Sequence, residues 1–217
     1  MGIRILLADN HRIVREGIRT LLEKYADLQV VGEANNGWEA IQLTRELSPD
    51  IAILDVTMRD LNGVEATRQI LKARPKIKVI GLSVHSDMGI VTEMFVAGAS
   101  GYLTKECAFE ELVKAIRRVM AGQIYLSTEI ADSVIRNFVG AYSYGDDLKV
   151  PRLSAKERMV LQFISEGKST KDIAGELNLS IKTVETHRLK VMNKLGITNV
   201  AGLVKYAIRE GITSVEK

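Results

Sequence analysis

Short apolar runs recur along the first half of the chain, each followed by a longer stretch with apolar residues at helical spacing. The run Ile51–Asp55 has four consecutive apolar residues before its carboxylate, which fits a strand buried on both faces of a parallel sheet. The pattern predicts five strands in all: Ile3–Ala8, Val30–Ala34, Ile51–Asp55, Lys78–Ser83 and Gly101–Thr104.

Amphipathic segments between these runs predict five helices. They are a first helix carrying Ile13, Ile18, Leu21 and Leu22, then Trp38–Leu47, Gly63–Arg74, Met88–Ala97 and Cys107–Ala121. Strict alternation of strand and helix implies a parallel sheet with right-handed crossovers, and therefore an α/β doubly wound fold. Five strands favour the flavodoxin-like order 2-1-3-4-5, in which the first strand lies beside the third.

The last third of the chain has capping residues that mark the starts and ends of short helices. Each of three predicted helices opens with a serine cap, and the first two caps have an acid three residues later, as in a capping box. These helices run from Ser154 to Gly167, from Ser169 to Leu177, and from Ser180 to the residue before Gly196. Two short helices and a tight turn before a basic helix predict a small all-α helix-turn-helix domain.

The segment between the two patterned regions predicts one more helix and a linker. Thr128–Phe138 has apolar residues on one helical face, and the stretch from Gly140 to Arg152 holds Gly145 and Pro151. The predicted organisation is a first domain at 1–121, a linker at 122–152 with a helix at 128–138, and a second domain at 153–217.

Composition excludes several classes of protein. No apolar run approaches the roughly 18 residues of a membrane span. The N-terminal residues enter a strand directly and lack the architecture of a signal peptide. Cys107 is the only cysteine, so an internal disulfide and a cysteine metal cluster are excluded. We therefore expect a cytoplasmic protein with no membrane partner.

Net charge differs between the two parts of the chain. Residues 1–149 hold 18 Lys and Arg against 20 Asp and Glu, a net charge of −2. Residues 150–217 hold 12 against 7, a net charge of +5. Only the second part is therefore expected to meet a polyanion such as double-stranded DNA.

Polar side chains stand at the edge of the predicted sheet where ligands bind in this fold. Asp9 and Asn10 follow the first strand, Asp55 ends the third, Ser83 ends the fourth and Lys105 follows the fifth. Two carboxylates and an amide oxygen suit Mg²⁺, while a lysine and a hydroxyl suit phosphoryl oxygens. Such a site favours phosphoryl transfer to Asp55 as nucleophile. Singly, Asp55 is also explained as a turn residue, Ser83 as a strand-end hydroxyl and Lys105 as a solvated side chain.

The third helix of the second domain has an apolar face with Val184, Val191 and Leu195, which should pack inward. On the remaining surface a solvated face and a face for the DNA major groove are both consistent with the pattern. The residues predicted to contact DNA are Lys182, Thr183, Glu185, Thr186, Leu189 and Lys190. Lysines would bind phosphates, whereas Glu185, Thr186 and Leu189 would touch base edges.

The first domain resembles the receiver domains of two-component response regulators over about residues 1–121. The motifs that carry the resemblance are Ala8-Asp9-Asn10, Leu54-Asp55-Val56-Thr57-Met58, Gly81-Leu82-Ser83 and Gly98-Ala99-Ser100-Gly101-Tyr102-Leu103-Thr104-Lys105. It implies that Asp55 accepts a phosphoryl group from a sensor histidine kinase, that Lys105 binds this group, and that Ser83 and Tyr102 are switch residues. It also implies a Mg²⁺ site formed by Asp9, Asn10, Asp55 and the backbone carbonyl of Thr57.

Two residues depart from the receiver pattern, because Asn10 replaces a second acid and Arg59 replaces a common proline. From the residues alone, Tyr102 is interpreted as a half-exposed strand aromatic. His11 and His85 are interpreted as polar residues on the rim of the site, with His85 near enough to tune hydrolysis of the phosphoryl group.

Residues 153–211 resemble a LuxR-type helix-turn-helix. The motifs are Leu153-Ser154-x-x-Glu157-Arg158-x-Val160-Leu161, Gly167-Lys168-Ser169-Thr170-Lys171-Asp172-Ile173-Ala174, Ile181-Lys182-Thr183-Val184-Glu185-Thr186-His187-Arg188 and Lys194-Leu195. A receiver followed by this module resembles the NarL/FixJ family of transcription regulators. The resemblance implies a homodimer, formed on phosphorylation or DNA binding, through the last helix, Val200–Ile208. Its apolar residues are Leu203, Val204, Ala207 and Ile208.

Two other functions compete with a phosphorylation-switched regulator. Haloacid-dehalogenase-like phosphatases also use a strand-end Asp with Mg²⁺, but they have an acid two residues later, where this chain has Thr57. We therefore expect a stoichiometric phosphoacceptor and not a turnover enzyme. A DNA-binding protein whose receiver no longer switches is the other alternative, and Asn10 motivates it.

Overall fold

The computed structural model describes residues 2–107, 109–144 and 153–213. The chain divides into two compact units, residues 1–143 and residues 144–217. Within the described residues, no helix combines the length and the apolar character needed to cross a membrane.

The first unit is built on a parallel sheet of six strands. These are β1 (Ile3–Ala8), β2 (Leu28–Ala34), β3 (Ile51–Asp55), β4 (Lys78–Ser83), β5 (Gly101–Thr104) and β6 (Tyr125–Leu126), in the order β2-β1-β3-β4-β5-β6. The predicted parallel order is confirmed. The expected count of five is wrong by one, because β6 has two residues and is too short to show a period. All five residues of β3 are buried, as the predicted double-sided cover requires.

Helices cover both faces of this sheet. They are α1 (Arg12–Leu22), α2 (Gly37–Leu47), α3 (Gly63–Ala73), α4 (Met88–Val96), α5 (Phe109–Met120) and α6 (Thr128–Tyr144). The side chains of Asn36 and Asn62 cap α2 and α3 by accepting the amide of the residue three positions on. One core cluster packs sheet residues such as Ile53 and Leu103 against Ile116 of α5.

The last helix of this unit is longer than the sequence predicts. It runs to Tyr144 and not to Phe138, so the predicted linker from Gly140 begins inside it. Residues 145–152 of that linker lie outside the described residues. Ile130 of α6 is fully buried, and β6 pairs with β5, so the first unit includes a segment that the sequence analysis assigns to the linker.

The second unit contains α7 (Ala155–Ser165), α8 (Thr170–Glu176), α9 (Ile181–Leu195) and α10 (Val200–Arg209). The capping boxes opening at Ser154 and Ser169 have both reciprocal hydrogen bonds, and Ser180 caps α9 as predicted. The core of this unit consists of Leu161, Val191, Leu203, Ala207 and Ile212. Three of the four helices therefore meet at one apolar centre.

Candidate functional site

Asp9 and Asp55 are brought together by the pairing of neighbouring strands. Ala8 of β1 is in register with Leu54 of β3, so the residue after each lies at the same sheet edge. Both carboxylates are buried, Asp9 being 4% exposed and Asp55 1% exposed. Two buried acids side by side require a compensating cation.

Lys105 supplies that cation. It directly follows β5. Its Nζ lies 2.7 Å from Oδ2 of Asp9 and 3.0 Å from Oδ2 of Asp55, and its side chain is 11% exposed. Burial raises the pKa of Asp55, and the charge of Asp9 raises it further, while Lys105 acts in the opposite direction. The structure therefore places three of the predicted site residues in direct contact.

The other oxygen of Asp55 is held by Thr57. Its Oδ1 accepts a hydrogen bond from the Thr57 amide at 3.1 Å and one from the Thr57 hydroxyl at 3.2 Å. Thr57 is itself buried. The carboxylate is thus oriented by one residue on its own loop and by one lysine from a distant strand.

Ser83 and Tyr102 are joined through the backbone of His85. The hydroxyl of Ser83, at the end of β4, accepts the His85 amide at 3.0 Å, and the Tyr102 hydroxyl donates to the His85 carbonyl at 2.8 Å. Tyr102 is fully buried, so the interpretation of a half-exposed aromatic is wrong. The strand β6 pairs Leu126 with Tyr102 and makes β5 an interior strand, and the Tyr102 ring lies beside Gly81 of β4, which has no side chain in its way.

His11 lies closer to the carboxylates of Asp9 and Asp55 than its predicted position on the rim of the site implies. Its side chain is about a third exposed, as a rim residue should be, but its Nδ1 lies 2.9 Å from Oδ1 of Asp9 and 4.0 Å from Oδ2 of Asp55. The backbone amide of His11 also donates to Oδ1 of Asp9 at 2.8 Å. Its position directly after Asp9-Asn10 is the sequence signal that could have indicated this proximity. The contacts of His85 with Ser83 and Tyr102 are made by its backbone amide and carbonyl.

The side chain of Asn10 shows whether the pocket offers a further oxygen ligand to a metal ion. Its side-chain oxygen is buried and has no hydrogen-bond partner among the described residues. Ligand atoms of Asp9, His11 and Asp55 all lie within 4.8 Å of one another. A buried oxygen that lacks a donor beside two carboxylates fits a hard divalent cation, which binds oxygen ligands.

In the second unit, α9 is fixed by its apolar face and by one ion pair. Val184 and Val191 are buried as predicted, and Leu195 packs at the edge of the core. Lys194 Nζ lies 2.7 Å from Oε2 of Glu157 on α7. Burial alone would raise the pKa of Glu157, but hydrogen bonds from Lys194 and Ser154 hold that pKa below its usual value.

The surface of α9 that remains exposed matches the face predicted for DNA. Its exposed residues include Lys182, Glu185, Thr186, Leu189 and Lys190. Leu189 is 60% exposed, as are several other large apolar side chains among the described residues. Thr183 is only partly exposed, and its hydroxyl lies 2.8 Å from that of the cap Ser180. Thr183 is therefore engaged in the cap.

The residues predicted for dimerisation do not share one exposed surface. Leu203 and Ala207 are fully buried in the core of the second unit, where α10 packs against α7. Their assignment to a dimer interface is therefore corrected, since these side chains already pack within their own domain. Val204 and Ile208 are partly exposed.

Comparisons with known proteins agree with both units. The model of the response regulator receiver domain matches residues 5–117, and that of bacterial regulatory proteins of the luxR family matches residues 151–207. Response regulator GacA of Pseudomonas aeruginosa is 38% identical over 210 residues, which are 97% of each chain. Response regulator UvrY of Escherichia coli is 36% identical over 214 residues, which are 99% of this chain and 97% of UvrY.

A solved structure extends this agreement over nearly the whole length. RcsB from Salmonella enterica serovar Typhimurium, bound to a promoter in the presence of phosphomimetic BeF₃⁻, has a TM-score of 0.70 and 28% sequence identity. The match covers 95% of this chain and 98% of that chain. A receiver fold with an acidic pocket, joined to a helix-turn-helix unit, defines a DNA-binding regulator of two-component signalling. The chain belongs to the NarL/FixJ family of response regulators, and it is a transcription regulator controlled through its receiver domain.

Proposed function

We propose that Asp55 accepts a phosphoryl group from a sensor histidine kinase and that this event controls DNA binding through α9. The observation that carries the proposal is the ammonium of Lys105 between two buried carboxylates, 2.7 Å from Asp9 and 3.0 Å from Asp55. A fixed cation beside a buried nucleophile neutralises the oxygens of an incoming phosphoryl group.

The transfer forms a bond between a carboxylate oxygen of Asp55 and phosphorus, while the bond from phosphorus to the donor imidazole of the kinase breaks. Thr57 orients the carboxylate through its amide and hydroxyl, and Lys105 binds the transferred group. Receiver domains typically bind Mg²⁺ in this pocket, where it neutralises phosphoryl oxygens. Asp9, Asp55, Asn10 and the backbone carbonyl of Thr57 would hold it.

Ser83 and Tyr102 are the proposed switch residues. Both are buried and both bond to the backbone of His85, so a phosphoryl group that attracts the Ser83 hydroxyl would release the His85 amide. Burial raises the pKa of Tyr102, so its hydroxyl keeps its proton and continues to donate. The segment after β4 is therefore the part of the domain that would respond first.

The geometry supports a stoichiometric acceptor over a turnover phosphatase. The position two residues after Asp55 is occupied by Thr57, whose hydroxyl is already committed to Asp55. A hydroxyl with an ordinary high pKa cannot replace the carboxylic acid that such phosphatases use as general acid and base. We therefore propose that the phosphoryl group stays on Asp55 until it is hydrolysed slowly.

For the second unit we propose that α9 enters the major groove and that the protein binds DNA as a homodimer. Lys182 and Lys190 would bind phosphates, while Glu185, Thr186 and Leu189 would reach base edges. Solved structures of RcsB include two dimers of that protein bound to DNA, which supports a dimer here. Val204 and Ile208 remain as the candidate contacts on α10.

Intact-mass measurement after incubation with acetyl phosphate and Mg²⁺ tests the receiver half of the proposal. We expect the parent chain to gain one phosphoryl group and Asp55→Ala to gain none, because Asp9, the other buried carboxylate beside Lys105, is proposed to hold the metal ion and not to accept the phosphoryl group. Asp50→Ala is the matched control, since Asp50 lies just before the opposite end of the same strand and is exposed. Labelling of Asp55→Ala would disprove the assignment.

The same samples test the coupling to assembly. Sedimentation with and without acetyl phosphate should show a shift from monomer towards dimer in the parent chain and none in Asp55→Ala. Equal masses and equal DNA affinities in the two states would contradict control by phosphorylation, even if Asp55 is labelled.

Lys105→Met should tighten binding of Mg²⁺ by about tenfold or more, a change of about 1.4 kcal/mol. The reason is that the ammonium lies against the same oxygens of Asp9 and Asp55 that a divalent cation needs, so it acts as a tethered competitor. Titration calorimetry measures this, with Lys105→Arg as the variant that keeps the charge. Weaker or unchanged Mg²⁺ binding in Lys105→Met would show that ion and ammonium occupy different oxygens.

A further inference from the structure

The imidazole of His11 is directed into the phosphoacceptor pocket. His11 is the N-cap residue of α1, yet its side chain makes no capping hydrogen bond to the helix. Its Nδ1 lies instead 2.9 Å from Asp9, 3.5 Å from Nζ of Lys105 and 4.0 Å from Asp55. One ring nitrogen thus faces both carboxylates and the cation that joins them.

These distances are close to those between three ligands of one metal ion. Ligand atoms bound to a single ion at about 2.1 Å lie at most about 4.2 Å apart. The two separations from Nδ1, 2.9 Å and 4.0 Å, fall inside that limit, and the ligand atoms of all three residues lie within 4.8 Å of one another. Displacement of the Lys105 ammonium from Asp9 would free the oxygens that the ion needs.

The donor set differs from one made for magnesium. Mg²⁺ prefers oxygen ligands and retains its water, whereas imidazole suits the later first-row divalent metals. Asn10 contributes a neutral oxygen, so the pocket has two carboxylates and not three. Loss of one negative charge weakens binding of a hard ion most, because that ion relies on charge more than on ligand type.

We propose that His11 is a metal ligand and that the pocket therefore prefers a later first-row transition-metal ion, such as Co²⁺ or Zn²⁺, to Mg²⁺. This inference rests on the proposed function, because it concerns the ion of the same pocket. His11 restrains the ion together with Asp9 and Asp55, and Asn10 supplies a further oxygen. The backbone bond from the His11 amide to Asp9 holds the two ligands in one orientation.

Calorimetric titration of the intact chain with Zn²⁺ and with Mg²⁺ tests the preference. We expect the parent chain to bind Zn²⁺ at least about a hundredfold more tightly than Mg²⁺. His11→Gln should lose about tenfold or more in Zn²⁺ affinity and change Mg²⁺ affinity by less than about threefold, because only one of the two ions uses the ring nitrogen. His85→Gln and His187→Gln are the controls for binding to the two other histidines of the chain, and both should match the parent.

Two further measurements make the outcome decisive. The visible absorption of bound Co²⁺ should change in His11→Gln, since a nitrogen ligand is lost, and should be unchanged in His85→Gln. Asn10→Asp should raise Mg²⁺ affinity and so reduce the ratio of Zn²⁺ affinity to Mg²⁺ affinity.

An equal loss of affinity for both ions in His11→Gln, or no loss of affinity for either ion, would overturn the inference. If Mg²⁺ binds and supports labelling of Asp55 but Zn²⁺ binds no more tightly, only the inference fails. If neither ion binds and Asp55 is not labelled, the proposed function fails as well.

Discussion

Gly63→Ala should destabilise the receiver domain by about 3 kcal/mol or more, at the upper end of the cost of overpacking. A Cβ at this position would lie 2.3 Å from the carbonyl oxygen of Asp55 and 2.9 Å from Cα of Val56. Both are backbone atoms, so no side-chain rotation relieves the contact. The Gly63 amide also donates to the Val56 carbonyl at 2.9 Å, which holds the start of α3 in place.

The loss would be large against the roughly 5–15 kcal/mol by which a domain is stable. Because the displaced atoms include the carbonyl oxygen of Asp55, phosphorylation by acetyl phosphate should slow as well. Urea unfolding followed by circular dichroism, with labelling measured by mass, checks both effects. Gly17→Ala on α1 is the control, since its added Cβ would meet no atom within 4 Å apart from its chain neighbours and the backbone of its own helix, and it should stabilise the domain by about 0.5–1 kcal/mol. If Gly63→Ala had the same midpoint urea concentration of unfolding as the parent chain, that result would contradict the close packing of α3 on Asp55.

The double variant Lys182→Ala with Lys190→Ala should weaken DNA binding about tenfold to a hundredfold at about 0.15 M salt, on all sequences alike. Both side chains are exposed on α9, and each lysine that neutralises one phosphate contributes about 0.9 to the slope of log affinity against log salt. The slope should therefore fall by about two in the double variant. Binding of labelled duplexes over a series of salt concentrations measures it.

A charge-matched control separates the face of α9 from total charge. Lys156→Ala with Lys205→Ala removes two exposed lysines near the start of α7 and on α10 and should leave the slope nearly unchanged. Thr186→Ala should alter the preferred sequence with little change in slope, because a base contact differs from a phosphate contact. Equal losses in the two lysine pairs would show that α9 is not the helix that meets DNA.

The parallel sheet and the pocket follow from sequence for a simple reason. Apolar runs that alternate with helices permit few topologies, and the preferred one places the ends of β1 and β3 side by side. Asp9, Asp55 and Lys105 were therefore predicted to meet, and they do. What topology cannot provide is the direction of a side chain, so the rotamer that turns His11 towards Asp9 was not predicted.

Two other differences come from short elements and from ambiguous apolar faces. The interior position of β5, which carries the buried Tyr102, depends on a strand of two residues that has no detectable period. The apolar stripe of α10 was assigned to a dimer, but an amphipathic pattern does not tell whether a face packs within its own domain or against a second chain. Leu203 and Ala207 pack within the domain.

The sixth strand also decides where the receiver can be cut from the rest of the chain. A fragment that ends at residue 121 would lose the pairing of Tyr102 with Leu126, the bond from the Ser127 amide to the Tyr102 carbonyl at 3.1 Å, and buried Ile130. Its β5 would become an open edge of unpaired amides and carbonyls, which invites self-association with other copies. Oligomers of such a fragment would then be an artefact of the truncation and not a property of the intact receiver. A fragment that ends after Ser143 retains the cover of that edge and is the suitable piece for binding experiments on the receiver alone.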